Sequence, residues 1–291
     1  MMGGAEARVG ISGWLYPNWR GEFYPKGLRQ ADELAYAARR LTSIEVNGSF
    51  YSLQRPANWQ RWRDAVPDDF VFAVKGPRFI THIKRLGDID GPLANFLASG
   101  VLALGEKLGP VLWQLPPNLG FDETLLDAFL ARLPRTHAAA ASLARHRDAR
   151  MSGRTSYALR AAPDRPLEHA VEVRHPSFEE HETAWVSLLE RHRVASVAAD
   201  TAGRYPRIDR TTADFAYARL HGDRELYVSG YDDAGLDRWE AWVRGHLGAG
   251  RSAYVYFDND VKVRAPFDAM ALIARLRSPS GPPHAAGMVR R

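Results

Sequence analysis

Cysteine is absent from this 291-residue chain, and lysine is scarce beside arginine. Without cysteine there is no disulfide, no thiolate metal ligand and no cysteine nucleophile. The sequence also lacks a run of about 20 apolar residues, the length that a membrane-spanning helix needs. The first eight residues, MMGGAEAR, have no apolar stretch of the kind found in signal peptides. These absences predict a soluble, cytoplasmic protein without a membrane segment.

The excess of positive charge is modest. The formal net charge is +5, and arginine supplies almost all of the positive charge. Such a composition is typical either of a GC-rich genome or of a protein that binds anions. Global charge supports solubility and weak attraction to polyanions, but it does not identify a partner. An anionic small molecule and a nucleic acid therefore both stay open as partners, and so does the oligomeric state.

Short apolar runs alternate with helix-like stretches along the chain. Runs rich in Val, Ile, Ala and aromatic residues are typical of parallel strands buried on both faces. Eight such runs, separated by stretches with apolar residues three and four apart, predict an α/β fold, namely a single-domain TIM-like (β/α)8 barrel. The predicted strands are Arg8–Ser12, Ser43–Asn47, Phe70–Lys75, Pro110–Leu115, Ala170–Arg174, Ala195–Asp200, Phe215–His221 and Ala253–Asn259.

Two segments depart from this alternation. Thr136–Pro166 forms a long insertion between strands four and five, and it is rich in arginine between residues 145 and 160. That insertion is either a solvated helix and loop or a basic flap beside the functional site. We assign residues 1–277 to the barrel and expect residues 278–291, with their Pro, Gly and Ser, to be a disordered tail.

A polar residue closes each of the eight predicted strands. In a β/α barrel, functional groups come from the C-terminal ends of the strands, so these residues predict one site at that rim. The eight residues are Ser12, Asn47, Lys75, Gln114, Arg174, Asp200, His221 and Asn259.

Strand phase extends this set, because residues two apart lie on the same face of a strand. Glu45 shares a face with Asn47, Glu172 with Arg174, and Arg219 with His221. Burial of these groups without partners would cost several kcal/mol each. They therefore form either a structural ion-pair network or a functional cavity. We predict that one cavity is lined by Glu45, Lys75, Glu172, Arg174, Asp200, Arg219 and His221.

Several motifs lie at these strand ends. They are Gly10–Pro17 with Trp19, Arg20 and Phe23–Pro25, Ile44–Tyr51, Phe72–Lys75 with Thr81 and His82, Trp113–Pro117, Val171–Pro176, Ala218–Gly222 and Tyr254–Asn259. Through these motifs the chain resembles the YecE-like family (domain of unknown function 72) over nearly its whole length. The resemblance implies a β/α barrel and leaves the chemistry open. Residues 260–264 differ from the small, glycine-containing loop that is usual there in the family.

Metal-assisted hydrolysis is one chemistry that the rim could perform. Carboxylate and imidazole side chains are suitable ligands for a divalent ion. No closely spaced histidine pair is present, however, and Arg174 and Arg219 would compete with a metal for the same carboxylates. The predicted catalytic residues, which would also be the ligands of any bound metal, are Glu45, Glu172, Asp200 and His221.

Anion recognition is a second possibility. Arginine binds phosphate or carboxylate in a bidentate manner, and a neighbouring acid or His221 could transfer a proton. The predicted substrate-binding residues are Lys75, Arg174, Arg219, Gln114, Asn47, Asn259, Trp14, Tyr16 and His82.

Carbohydrate hydrolysis by paired carboxylates is a third possibility. A platform on which sugars or bases stack would then be formed by Trp14, Tyr16, Trp19, Phe50 and Tyr51. The same aromatic residues could instead pack as a small core below the loops. A non-catalytic module that binds nucleic acid or a small anion also stays open. We predict a hydrolase that acts on an anionic, phosphate-bearing substrate, with nucleic acid as one candidate, at the barrel rim.

Overall fold

Eight parallel strands close into a barrel in the computed structural model, which describes residues 4–278. Neighbouring strands pair in chain order, and the first strand pairs with the eighth. The predicted TIM-like barrel is therefore confirmed. The strands are β1 (Ala7–Ser12), β2 (Ser43–Val46), β3 (Val71–Lys75), β4 (Leu108–Gln114), β5 (His169–Glu172), β6 (Ala195–Asp200), β7 (Phe215–Leu220) and β8 (Ser252–Phe257).

Helices cover the outside of the barrel, except between β6 and β7, where residues 201–214 contain no helix. A π-helical turn, Phe79–Ile83, follows β3 at the rim. The α-helices are α1 (Glu33–Ala38), α2 (Gly48–Tyr51), α3 (Pro56–Asp64), α4 (Asp90–Ala98), α5 (Glu123–Arg132), α6 (His137–Ala144), α7 (Ser177–Glu180), α8 (Glu182–Arg191), α9 (Asp233–Gly248) and α10 (Ala265–Arg277). Among residues 4–278, no helix is long and apolar enough to cross a membrane.

The inside of the barrel has its own apolar cluster, separate from the core between strands and helices. Strands β5 and β6 contribute small side chains, whereas the next two strands, β7 and β8, contribute large rings. Because alternate residues share a face, this cluster fixes which residues point inward. Its members are Val71, Ala73, Leu112, Ala170, Ala195, Val197, Ala199, Phe215, Tyr217, Tyr254 and Tyr256.

A glycine allows β1 to approach β2 closely. A Cβ atom on Gly10 would lie only 1.8 Å from the carbonyl oxygen of Ser43, so no other residue fits there without a backbone shift. Two residues further along, this approach sets Ser12 opposite Glu45 at the rim. The glycine therefore acts on the site through the register of the two strands.

Helix α10 is the last element that the structure describes. Helix α10 ends at Arg277, and the backbone N–H of Ser278 donates to the carbonyl oxygen of Ala274. The remainder of the predicted tail, residues 279–291, lies outside the described residues.

Candidate functional site

One arginine lies at the centre of the polar groups in the rim. Arg219 extends inward from β7, in phase with Tyr217, and its side chain is fully buried. Its guanidinium group donates to three carboxylates, through Nη2 to Glu45 Oε1 at 2.9 Å, through Nη1 to Glu172 Oε2 at 2.6 Å and through Nη2 to Asp258 Oδ2 at 2.8 Å. These three anions outweigh the effect of burial and raise the pKa of Arg219, which stays charged.

Glu45 is held from several directions. Both of its oxygens accept bonds from Arg219, and they also accept bonds from the hydroxyl groups of Ser12 and Tyr217, each at 2.6 Å. The side chain has no exposed surface. A carboxylate bound in this way is suited to orienting its neighbours, because it has little room to accept a proton from a substrate.

Glu172 is bound in the same manner. Its Oε1 accepts a bond from Nε of Arg174 at 2.7 Å, and its Oε2 accepts the bond from Arg219. Burial by itself would raise the pKa of Glu172, but Arg174 and Arg219 outweigh it and hold this pKa well below its ordinary value. Glu172 is therefore a poor general base, and the geometry favours the ion-pair alternative for it.

Asp258 belongs to the cluster although the sequence did not single it out. It follows β8 in phase with the inward-facing Tyr254 and Tyr256, and it lies 3.1 Å from Nδ1 of His221. Burial raises its pKa, but Arg219 and His221 outweigh that effect and lower the pKa to about 2. The alternation of two tyrosines and an aspartate on one face was the signal that could have identified it.

His221 lies beside this carboxylate and is fully buried. Its Nε2 is 3.3 Å from Nη1 of Arg219, which can only donate a hydrogen bond. In the neutral ring, Nε2 is thus the acceptor and Nδ1 carries the proton, 3.1 Å from Oδ2 of Asp258 but outside hydrogen-bond geometry. The ring of Tyr227 packs edge-on against His221 at 5.3 Å and covers it from the loop after β7.

Two predicted site residues lie outside the cluster. Inside the barrel, β6 presents Ala195, Val197 and Ala199, so the alternate residue Asp200 faces the helix layer, near the hydroxyl group of Tyr231. The prediction that Asp200 converges with the other charged groups is therefore wrong.

Asn259 also lies on the outer side of its strand. Its Nδ2 donates to the carbonyl oxygen of Ser229 and to Asp268, at 2.9 and 2.8 Å. It fastens the β8 end to α10 on the side of the strand that faces the helices, and its predicted substrate-binding role stays a prediction. Asp258, one residue earlier, occupies the inward position.

Some of the remaining predicted binding residues lie at the rim, and others lie in the core. Asn47 and Gln114 lie at the rim, and the buried Oδ1 of Asn47 has no partner among residues 4–278. Trp14 packs edge-on against Trp62 at 5.1 Å and is 6% exposed, so it belongs to the core below the loops and cannot act as a stacking platform. Tyr16 stacks on a core tryptophan, and its hydroxyl group donates to the Ser12 carbonyl oxygen.

Lys75 and His82 meet on one aromatic ring at the rim. The Nζ of Lys75 lies 4.3 Å from the centroid of Phe50, and the ring of His82 meets the same phenyl group edge-on at 5.1 Å. Burial, followed by Lys75, Arg78 and Arg174, lowers the pKa of His82 to about 4. This part of the rim is therefore electropositive.

A second carboxylate extends beyond Asp258 in the loop after β8. Burial and the neighbouring Asp258 raise the pKa of Asp260 to about 6. Two aspartates two residues apart thus have pKa values shifted in opposite directions from the ordinary value. The loop that the sequence marked as unusual carries one of them.

The predicted metal ligands do not fit a metal ion. Within residues 4–278 no group of three or more His, Asp or Glu side chains is arranged to hold one. The reason is that Arg219 lies where the carboxylates converge, and it already uses the oxygens of Glu45, Glu172 and Asp258.

An apolar groove of about 400 Å³ lies beside the cluster and shares the ring of Phe50 with it. Its walls include the exposed side chains of Tyr51 and Phe79. The arginine-rich insertion reaches this groove through Asp148, which accepts a bond from Asn95 at 2.6 Å. The insertion thus lies next to the rim, while Arg150 extends into solvent.

Comparison with known proteins places these features in a family. The sequence model described as "Protein of unknown function DUF72" matches residues 8–287. UPF0759 protein YecE of Escherichia coli K12 is 32% identical over 127 residues, and UPF0759 protein YunF of Bacillus subtilis 168 is 31% identical over 120 residues. These matches span 44% and 39% of the relatives' lengths, so the chain aligns with less than half of each curated relative.

Solved structures resemble the whole barrel. A DUF72 family protein from Thermotoga maritima superposes with a TM-score of 0.72 at 24% identity, covering 94% of this chain and all of the other. A DUF72 family protein from Enterococcus faecalis gives a TM-score of 0.71 at 16% identity, covering 97% of this chain and 99% of the other. At such identities the likeness establishes the fold alone. With the family match over most of the sequence, it follows that the chain belongs to the DUF72 family.

Proposed function

We propose that this protein is a hydrolase that binds an anionic, phosphate-bearing substrate at the C-terminal rim of the barrel. The observation that carries the proposal is the pair of cations at the mouth of the cluster. Lys75 has no hydrogen-bond acceptor or ion-pair partner among residues 4–278, and Arg174 pairs with Glu172 alone. These side chains are 8–9% exposed, so both are within reach of a ligand.

Three cations and three carboxylates cancel in number, so it is the arrangement of these charges that supports an anion as that ligand. The carboxylates of Glu45, Glu172 and Asp258 are bound by Arg219, which leaves Lys75 and Arg174 toward the opening. The Cζ atom of Arg174 lies over the ring of Tyr205, 4.7 Å from its centroid, a cation–π contact that helps to hold the guanidinium group in place. Planar, preoriented guanidinium groups suit phosphate and carboxylate oxygens.

Proton transfer in such a reaction falls to the Asp260 carboxyl group. Its pKa of about 6 lies close to neutral pH, where a group can both accept and return a proton. Asp258 stays ionised and orients His221. The paired-carboxylate route to sugar hydrolysis is weaker, because Glu45 and Glu172 are both tied to Arg219.

Binding is tested by thermal melts with inorganic phosphate against chloride at equal ionic strength. At a phosphate concentration 20 times its dissociation constant, mass action stabilises the folded state by about 2 kcal/mol. Arg174→Lys should abolish this gain, because lysine lacks the planar donors. The matched control is Arg244→Lys, since Arg244 also pairs with one glutamate at 2.7 Å, but on a helix away from the rim. A melting temperature that phosphate leaves unchanged would contradict the proposal.

Catalysis is tested separately with chromogenic phosphomonoesters and phosphodiesters. A general acid or base typically contributes roughly 100-fold or more to the rate. We therefore expect Asp260→Asn to lower kcat by at least tenfold. Phosphate should still stabilise this variant. Equal turnover by the variant and the parent protein would remove Asp260 from the mechanism.

A further inference from the structure

Lys75 is a buried amine that the fold leaves without an acceptor. It ends β3 inside the barrel and is 8% exposed, and no hydrogen bond from its Nζ is formed within residues 4–278. On one side the ammonium group meets only the face of Phe50. A buried charged group is normally paired, so an unpaired one points to a ligand or a chemical role.

Lys107 provides an internal comparison. It is as deeply buried, at 9%, but its Nζ donates to the carbonyl oxygens of Arg63 and Val66, each at 2.9 Å, and lies 3.5 Å from Asp68. The fold therefore satisfies one buried lysine with three oxygens and the other with none. A purely structural role therefore does not explain the environment of Lys75.

The surroundings of Lys75 favour its neutral form. Burial has the largest effect and the charge of Arg219 the next, and together they lower the pKa of Lys75 to about 8. The carboxylates of Glu45, Asp258 and Glu172 act in the opposite direction without reversing this effect, since each is already paired with Arg219. Desolvation and an adjacent cation are the two conditions that activate lysine as a nucleophile.

We propose that Lys75 forms an imine with the carbonyl group of a phosphate-bearing aldehyde or ketone. The inference rests on the proposed function for the phosphate, which Arg174 would hold, and it adds a covalent step at the same rim. Arginine cannot perform this step, because its guanidinium group stays protonated. Lysine at this position, in a chain with only five lysines, fits that requirement.

The step balances within the site. The lone pair of neutral Nζ attacks the carbonyl carbon, and one Nζ proton passes to the carbonyl oxygen to give a carbinolamine. Loss of the nitrogen proton and of the hydroxyl group as water then forms the C=N bond. His82 is neutral near pH 7 and lies on the same phenyl ring, so it can relay a proton without adding charge. Addition of water reverses the sequence and restores the amine.

The test traps the imine with sodium cyanoborohydride, which reduces it to a stable secondary amine. The full-length protein is incubated at pH 7.5 with glycolaldehyde phosphate or, as a matched probe, with glycolaldehyde, and the adducts are located by peptide mass spectrometry. At this pH a lysine of pKa about 8 has a neutral fraction roughly 200 times that of one at 10.5. A less basic amine attacks more slowly, so we expect at least roughly tenfold preference for Lys75 over the exposed lysines.

Comparison of sites and probes gives an outcome for each part. Lys107 should stay unlabelled, and the phosphorylated probe should label Lys75 faster than glycolaldehyde does, with inorganic phosphate as a competitor. Labelling no greater at Lys75 than at Lys26 or Lys262 would overturn the imine, whatever the phosphate melts show. Equal labelling by the two probes would overturn the phosphate-bearing substrate and, with it, the proposed function. Lys75→Arg should lose this adduct, because a guanidinium group stays protonated and cannot form the imine.

Discussion

Neutralisation of Glu172 separates an ion-pair role from a catalytic one. In Glu172→Gln the amide keeps one oxygen, which can still accept a bond from Arg219 or Arg174, but its NH2 group then faces the other guanidinium donor. Both partners lie deep in the rim, with side-chain exposures of 0% and 9%, so neither can turn to water. Breaking a buried pair in this manner costs roughly 3–5 kcal/mol.

This loss is large enough to measure. With an unfolding entropy of about 2.1 cal/mol/K per residue, a chain of 291 residues should melt about 5–8 °C lower. The matched control is Glu33→Gln. Glu33 is also fully buried, but its partner Arg20 is 44% exposed and can be solvated once the charge is gone. We expect that control to lose about 1 kcal/mol or less.

The pH dependence of stability is an independent test of the ion-pair role of Glu172. The folded-state pKa of Glu172 is depressed, so the stability it contributes is present above the unfolded-state pKa and is lost as pH falls through the folded value. The difference between the parent protein and Glu172→Gln should thus be full at neutral pH and shrink well below pH 4.5. A loss no larger than that of Glu33→Gln, with turnover abolished, would refute the ion-pair assignment and restore Glu172 as a general base.

Three further outcomes follow from the structure. Burial raises the pKa of Glu168 to about 7, so the stability of the parent protein should fall as pH rises from 4.5 to 7. In urea titrations, Glu168→Gln should be more stable than the parent protein by up to about 3 kcal/mol at pH 8 but not at pH 4.5. In the same titrations Asp258→Asn should lower the free energy of unfolding by about 3 kcal/mol, because it breaks the pair with Arg219. Asp200→Asn should change that free energy by no more than about 0.5 kcal/mol. Equal losses would return Asp200 to the site. A triple variant replaces Arg147, Arg150 and Arg154 with alanine. If the insertion binds single-stranded nucleic acid, this variant should flatten the slope of log affinity against log salt by about 2. An unchanged slope would indicate that the segment is a solvated surface.

Strand phase could be predicted where one face is clearly polar. On β7, Tyr217, Arg219 and His221 alternate with Ala216, Ala218 and Leu220, so only one choice of inward face collects the polar groups. Strand β6 offers no such contrast. Its two faces, Ser196 with Ala198 and Ala195 with Val197 and Ala199, are both small, and a polar residue at one end does not decide between them. The error at Asp200 follows from that ambiguity.

The closed barrel resolves the ambiguity by strand register, which the sequence of one strand does not contain. Strand β6 pairs with β7 so that Val197 lies beside Tyr217 and Ala199 beside Arg219, and paired residues share a face. The inward phase of β6 is thus set by a neighbouring strand and not by its own sequence. The pairing of Arg219 with Glu45 likewise joins residues 174 positions apart. Motif and phase identified the participants, but the contact itself depends on closure of the barrel.

The central arginine decides what kind of chemistry the rim supports. A cluster of Glu45, Glu172, Asp258 and His221 would suit a divalent ion if it were empty, as the residue types suggested. Here Nε and both terminal nitrogens of Arg219 are engaged with those groups, so the positive charge that holds the carboxylates together belongs to the chain itself. A charge fixed by covalent attachment cannot move toward a substrate, and it leaves the carboxylates neutralised. The chemistry that we propose is consequently assigned to groups that Arg219 does not bind, namely Lys75, Arg174 and Asp260, and not to the acids it binds.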